Sequence, residues 1–215
     1  MCCVPLVNAE HIPETYDTPV RVIPARIVAP IGAGEARIPA LVKLRDERVV
    51  LFYDERPAPA SGTGADVNGL TMASDLPNPN RIRWMERDGH GGWSDPCDLP
   101  AGGPPVSSDA CVGVDGDGVM HLAFASSEGA VGYKDSRADG KHLRVWWAWG
   151  SGPEDLTYAD MRDALFATSG ATATVDGQVA MPYVVRVGER TYVQVVDARA
   201  GAPGQRPSMM AMRGS

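Results

Sequence analysis

Two arginines and one aspartate stand where strands are predicted to end, and their side chains could bind a small anion. Arg37 opens one apolar segment, Arg56 follows the apolar run 49–53, and Asp75 precedes the run 81–85. Guanidinium groups bind planar carboxylates through two parallel hydrogen bonds, so two arginines beside one carboxyl group suit an anionic ligand. Loops at strand ends usually carry the chemistry of a β scaffold. For each residue alone, a surface Arg–Asp pair is the alternative.

Four segments around these residues resemble, in order, the motifs of the sialidases (neuraminidases). Arg37 begins Arg-Ile-Pro, a motif of that family, and residues 54–57 resemble its Asp-x-Arg-Pro. Residues 75–80 resemble the segment that carries the catalytic aspartate. Residues 86–93 are in register with the Asp box of the family, although Glu and Gly replace its Ser and Thr. The order within about sixty residues carries the resemblance, which covers roughly residues 30–196.

The resemblance implies a role for each of these side chains. Arg37 would be the first of three arginines that hold the carboxylate of sialic acid, and Arg56 would line the pocket. Asp75 would be the general acid/base, with Asp66 in the preceding loop as the alternative. Asp109 occupies the position of an aspartate that contacts the polar substituents of the substrate, although Ala follows it where the family usually has Pro.

The resemblance also identifies groups that this chain lacks. Sialidases use a tyrosine nucleophile activated by a glutamate, because a neutral phenol is not repelled by the carboxylate of the substrate. In the family that pair and the other two arginines lie in later blades, and no motif assigns them to Tyr183, Glu189 or Tyr192. We therefore expect a truncated or frame-shifted sialidase, weakly active or inactive by itself, with about three blades of a six-bladed propeller.

A second copy of the Asp-box pattern supports a propeller architecture. Residues 151–158 align with residues 86–93, although Pro153 stands where the aspartate of the box belongs, and Tyr158 stands 65 residues after Trp93. That interval is about one four-stranded blade with an inserted loop. The box is a hairpin turn whose aspartate accepts backbone N–H groups while its aromatic residue packs on the sheet. We expect both copies in equivalent turns.

The rest of the chain reads as an all-β protein rich in turns. It contains 24 glycines and 18 prolines, and only residues 159–166 suggest a short helix. The expected organisation is an N-terminal extension at 1–19, a partial propeller at 20–196 and an irregular tail at 197–215. The predicted strands are 21–29, 36–44, 49–53, 81–87, 111–114, 119–125, 131–133, 143–149, 171–175, 179–187 and 191–196.

Composition limits the partners that we expect. The formal net charge of −7 disfavours nucleic acid and anionic membranes, and no apolar run is long enough for a membrane helix. The first residues lack the basic segment of a signal peptide, so the cytoplasm is the default expectation, although members of the family are often secreted. The expected ligands are sialylated glycans or free sialic acid, and exposed blade edges favour self-association.

Neither the cysteines nor the histidines suggest a metal site. Cys2, Cys3, Cys97 and Cys111 show no metal-ligand spacing, and a buried free thiol is expected at Cys111. The turn beginning at Asp115 lacks the later oxygen ligands of a calcium loop. No cofactor is predicted. Two other functions stay open: a noncatalytic carbohydrate-binding propeller, and a different propeller glycosidase that uses two carboxylates.

Overall fold

A computed structural model describes residues 34–57, 66–67, 70–71, 75–127, 132, 143–160, 172–187 and 190–198. All regular elements in these ranges are β-strands, and none is a helix. The strands are β1 (Gly34–Lys43), β2 (Val49–Pro57), β3 (Asp66–Val67), β4 (Leu70–Thr71), β5 (Arg81–Arg87), β6 (Cys97–Asp98), β7 (Ser108–Val114), β8 (Met120–Ser126), β9 (Arg144–Gly152), β10 (Asp155–Asp160), β11 (Ala173–Val175), β12 (Gln178–Val187) and β13 (Arg190–Ala198).

The strands form three antiparallel meanders that follow one another along the chain. The first sheet has the order β1-β2-β5-β6, the second β7-β8-β9-β10 and the third β11-β12-β13. The hairpin β3-β4 is inserted between the second and third strands of the first sheet. Strand β7, the first of its sheet, contacts β1 and β11, the first strands of the other two. The prediction of an all-β protein with short antiparallel strands is confirmed.

Apolar residues alternate along the strands and hold the three sheets face to face. Between the first and second sheets lie Phe52, Ile82 and Leu122, all within 2 % of full burial. The opposite face of the second sheet packs Trp147 against Val179 of the third sheet. A buried side chain of this size contributes roughly 1.5–3 kcal/mol, so these two layers hold the array of sheets together.

The two Asp-box-like segments both lie between the third and fourth strands of their sheets, but their turns differ. In the first, Asp88 Oδ1 accepts the backbone N–H of His90 at 2.9 Å and of Gly92 at 2.7 Å. Trp93 packs on the face of its sheet that points away from the second sheet. Tyr158 packs on the corresponding face of the second sheet, toward the first. Trp93 pairs with Arg87 beside its turn, whereas Tyr158 pairs with Ala148 beyond a tight hairpin at residues 152–155. The two segments therefore share a place in their sheets but not the geometry of the turn.

Arg48 ties the hairpin ends of the first two sheets together. Its guanidinium donates to Asp46 at 2.7 Å, to Glu86 at 3.3 Å and, across the sheet boundary, to Glu154 at 2.8 Å. Hydrogen bonds to these carboxylates raise the pKa of Arg48. Networks of this kind contribute more than isolated surface pairs.

The observed bounds of several elements differ from the predicted ones. Residues 159–160 end β10, so the helix predicted at 159–166 is wrong there, and its remaining residues lie outside the described ranges. Strand β7 begins three residues earlier than predicted, and β13 continues two residues beyond the predicted propeller boundary at 196. The predicted strands 21–29 and 131–133 cannot be compared, because the described ranges include only residue 132 of them. Cys111 is buried, as expected, and forms no disulfide within the part of the chain that the structure describes.

Substituting alanine for Gly150 is expected to destabilise the protein by about 1–3 kcal/mol or more, because the hairpin closes tightly there. A Cβ at Gly150 would lie 1.6 Å from the carbonyl oxygen of Asp155. The matched control is Gly89→Ala in the exposed turn of the first sheet, where no atom lies within 4 Å of the added methyl group. Urea unfolding of both variants measures the difference. Equal midpoints would show that the β9–β10 turn relaxes freely.

Candidate functional site

The site begins with the alternation of side chains along β2. Asp54 and Arg56 lie two residues apart and therefore share one face of the strand. That face points toward the second sheet, and the two side chains are 0 % and 1 % exposed. Burying charged groups costs several kcal/mol unless they are paired and hydrogen-bonded, so their partners determine what this pair does.

Arg56 gathers three carboxyl groups and one hydroxyl around a single guanidinium. Its Nη2 donates to Asp54 at 2.9 Å and to the hydroxyl of Ser108 at 3.4 Å, and lies 3.6 Å from Oδ1 of Asp109. Its Nη1 donates to Asp75. Burial lowers the pKa of Arg56, but the hydrogen bonds to Asp54 and Asp75 outweigh that effect, and the net shift is upward. Arg56 therefore stays charged and organises the cluster from within.

Asp54 connects β7, the first strand of the second sheet, to this cluster. Its Oδ2 accepts hydrogen bonds from Arg56 and from the hydroxyl of Ser108, and its Oδ1 accepts the backbone N–H of Asp109 at 3.0 Å. Burial raises the pKa of Asp54, and the hydrogen bonds from Ser108 and Arg56 oppose that rise. With both oxygens occupied, Asp54 is a positioning residue for its neighbours.

Asp109 stands at an irregularity near the start of β7. Its φ is 62°, and the pairing with β8 shifts register between Ser108 and Cys111. A left-handed backbone is uncommon outside glycine, and such strain concentrates at functional sites. The side chain is 24 % exposed. Burial raises the pKa of Asp109 to about 7, the charges of Asp54 and Asp75 add to the rise, and Arg56 opposes it.

Asp75 approaches Arg56 from the loop that precedes β5. Its side chain is 77 % exposed, so this carboxyl group stands at the water-facing rim of the cluster. The next residue, Leu76, is buried in the layer between the second and third sheets. Asn78 donates through its side chain to the carbonyl of Pro57 at 3.2 Å. These two anchors fix the loop across the end of β2.

Arg37 lies on the same face of the first sheet as the cluster. It pairs with Asp54 in the β1–β2 register, which places their Cβ atoms about 5 Å apart. The following residue, Ile38, has a φ of 51°, an outlier for a β-branched residue, and the register shifts there. Nε of Arg37 donates to Glu35. Within the described ranges no group contacts its two terminal nitrogens, which remain able to bind a planar anion.

The structure brings Asp75 and Asp109 each to the guanidinium of Arg56 and places Arg37 on the same face beside Asp54. Asp54 and Ser108 complete the cluster, and no sequence motif had assigned a role to either of them. The signal for Asp54 was its place two residues before Arg56 on one strand. The alternative residue, Asp66, begins β3 in the inserted hairpin. Among the described residues, no three His, Cys, Asp or Glu side chains are placed to hold a metal ion.

Comparisons with known proteins place the chain by fold alone. No family model matches it, and no curated protein does. A protein of unknown function from Dyadobacter fermentans DSM 18053 has a TM-score of 0.54 at 13 % identity, covering 78 % of this chain and 52 % of its own. A family 117 glycoside hydrolase from the marine bacterium Zobellia galactanivorans has a TM-score of 0.51 at 14 % identity, covering 78 % and 53 %.

These similarities support an all-β fold like that of the two structures. The chain spans about half the length of the two structures that it matches. In the part of the chain that the structure describes, no helix is long and apolar enough to cross a membrane.

Proposed function

We propose that this chain carries part of the site of a propeller exo-α-sialidase, with a bound sugar held over the cluster at the end of β2. The observation that carries the proposal is Arg37, whose two terminal nitrogens have no hydrogen-bond or ion-pair partner among the described residues, on the face that also bears Asp54 and Arg56. Sialic acid has a carboxylate on its anomeric carbon, and a guanidinium can bind that group with two hydrogen bonds. The motif order supports the family, and the glycosidase-like fold supports the class of enzyme.

Asp75 is the group that we propose as general acid/base. It is the most exposed carboxyl group of the cluster, and Arg56 together with Leu76 fixes its position. A leaving oxygen can therefore reach it without displacing protein atoms. General acid catalysis contributes about 10²–10⁴-fold, so this group alone would give only a small part of the acceleration of a glycosidase.

A noncatalytic carbohydrate-binding function is the second candidate. In the described part of the chain, neither Tyr53 nor Tyr158 is placed to attack a sugar at this cluster. Tyr53 is buried on the opposite face of the first sheet, and the Tyr158 hydroxyl donates to the carbonyl of Pro100 at 2.9 Å. The chain by itself is expected to bind sialic acid without measurable hydrolysis of a fluorogenic sialoside. Turnover lost on Asp75→Ala would show that the chain holds the full machinery.

A third candidate function is a glycosidase that uses two carboxylates, and a hydrolysis assay with a second substrate distinguishes it from the sialidase. Asp75 and Asp109 both approach Arg56, so they are the pair that such an enzyme would use. Hydrolysis of neutral aryl glycosides, with no activity on sialosides, would select this reading over the sialidase.

Replacing Arg37 with alanine is expected to weaken binding of N-acetylneuraminic acid about tenfold or more, measured by titration calorimetry. A hydrogen bond to a charged group contributes roughly 1.5–3 kcal/mol, and each 1.4 kcal/mol changes Kd tenfold. Arg81→Ala is the matched control, because Arg81 pairs with Glu55 on the opposite face of the sheet. If Arg37→Ala and Arg81→Ala bind the sugar equally well, Arg37 does not hold the carboxylate.

A further inference from the structure

The cluster holds more carboxyl groups than its cations can balance. Arg56 contacts Asp54, Asp75 and Asp109, so one positive charge faces three acidic side chains. From β1, Glu35 and Arg37 pair with each other and add no net charge.

Among the described residues, the remaining neighbours of β7 do not supply the missing charge. Arg81 and Arg83 of β5 project from the other face and bind Glu55. The third arginine of β5, Arg87, pairs with Val49 at the opposite end of the strand. From the third sheet, the side chains that the structure describes in β11 and β12 are uncharged. Counted over the described residues, three ionised carboxylates would therefore leave two negative charges uncompensated, which favours a proton on one of the three.

Geometry identifies the side chain that most easily holds that proton. Asp54 has donors on both oxygens, and Asp75 stands in water against Nη1 of Arg56. Asp109 receives less, because its Oδ1 lies 3.6 Å from the guanidinium, beyond hydrogen-bond distance, and the Ser108 hydroxyl, which favours its ionised form, donates to Asp54. Its carboxyl group is also mostly shielded from water. Protonating Asp109 therefore sacrifices the fewest favourable contacts.

The backbone fixes where this carboxyl group points. Asp54 accepts the N–H of Asp109, whose φ of 62° turns the chain out of the regular strand. The side chain stays partly exposed beside the face that bears Arg37. An O–H donor at this place would meet a ligand that Arg37 holds.

We propose that Asp109 is the proton-carrying carboxyl group of this site, that it donates a hydrogen bond to a bound sugar, and that its ionisation controls binding of an anionic sugar. The identity of the ligand in this proposal rests on the proposed function, whereas the location of the proton does not. When Asp109 is ionised, it repels a sugar carboxylate and has no hydrogen to donate. Binding then requires that the Asp109 carboxylate take one proton from solvent and become a neutral acid.

The linked proton gives a pH dependence of definite sign. The raised pKa of Asp109, about 7, means that the neutral acid predominates below pH 7. The affinity for N-acetylneuraminic acid should be constant in that range. It should fall by about tenfold for each pH unit above 7, since one proton is taken up on binding. In Asp109→Asn the amide remains a donor at every pH, so affinity should vary little between pH 6 and pH 8.

The experiment has two arms, and the first needs no ligand. The side-chain carboxyl carbons of aspartate are followed by ¹³C NMR from pH 4 to pH 9. We expect one resonance to titrate near neutral pH in the wild type and in Arg81→Ala, and to be missing from Asp109→Asn. Asparagine tolerates a left-handed backbone, so this variant keeps the local fold. A near-neutral titration that persists in Asp109→Asn, or that the wild type lacks, would overturn the proposal.

The second arm measures N-acetylneuraminic acid binding by calorimetry at pH 6 and pH 8, in two buffers with different ionisation enthalpies. For the wild type we expect roughly tenfold weaker binding and uptake of about one proton at pH 8, and neither effect in Asp109→Asn. If both proteins show the same pH dependence, Asp109 does not control binding. If the wild type binds no sugar at either pH, the sialic acid function fails together with this control, while the NMR titration still decides where the proton lies.

Discussion

Replacing Arg56 with alanine is expected to destabilise the protein by about 3–5 kcal/mol, one of the two largest effects that the structure predicts. The substitution removes the charge that pairs with fully buried Asp54 and leaves that carboxylate without a counterion. It also releases Asp75 and the loop in front of β5. Urea unfolding at pH 7 measures the loss.

Arg81→Ala is the control for a surface arginine, with an expected change of at most about 1 kcal/mol. A double variant, Asp54→Leu with Arg56→Met, tests the cause, because hydrophobic replacement of a buried ion pair is often neutral. The double variant should lose clearly less stability than the sum of the losses in the two single variants, Asp54→Leu and Arg56→Met. Additive losses, or a loss below 1 kcal/mol for Arg56→Ala, would contradict the view that the pair acts as a unit.

Asp109→Asn is expected to stabilise the protein above pH 7. The pKa of Asp109 is about 7 in the folded chain, above its ordinary value of 3.8. As the pH rises from about 4 to about 7, Asp109 loses its proton in the unfolded chain but keeps it in the folded chain. The free energy of unfolding of the wild type therefore falls progressively over this range. At 1.36 kcal/mol per pKa unit the full effect is roughly 4 kcal/mol, and partial exposure of the side chain reduces it.

Melting temperatures of the wild type and of Asp109→Asn from pH 4 to pH 9 measure this effect. The two curves should meet near pH 4 and separate steadily up to about pH 7, with the variant higher. A constant difference at every pH would instead indicate relief of the left-handed backbone, to which asparagine is also suited. A variant that melts lower than the wild type at pH 8 would contradict the raised pKa.

The strands were predictable where apolar alternation ends at clear turn signals. Strand β5 was predicted with its observed bounds because Pro79-Asn80 precedes it and Asp88-Gly89 follows it. The presence of a turn at both Asp-box-like segments was also predictable from local turn residues, but the tight hairpin at residues 152–155 was not. The helix predicted at 159–166 failed at residues 159–160 because they continue β10, whose pairing with β9 outweighs local propensity.

The sequence singled out Arg37, Arg56, Asp75 and Asp109, but it predicted neither Asp54 and Ser108 nor the arrangement of the cluster. Ser108 and Asp109 were omitted from β7 because polar residues there interrupt the apolar pattern, and the interruption marks the position of the cluster. Arg56 was expected to line a pocket, but the structure buries it among carboxyl groups. That outcome depends on contacts between β2, β7 and the loop at Asp75, which are far apart in sequence and carry no periodic signal.

The most direct test of the proposed site is backbone amide mapping by NMR during titration with N-acetylneuraminic acid at pH 6. We predict that the shifted resonances belong to Arg37, Arg56, Asp75, Ser108 and Asp109, at one end of the first two sheets, and that Arg37→Ala abolishes most of the shifts. A neutral hexose should leave these resonances unchanged. Shifts centred elsewhere, for example at Tyr158 and the loop that covers it, or equal shifts with the neutral sugar, would contradict a site for anionic sugars at this cluster.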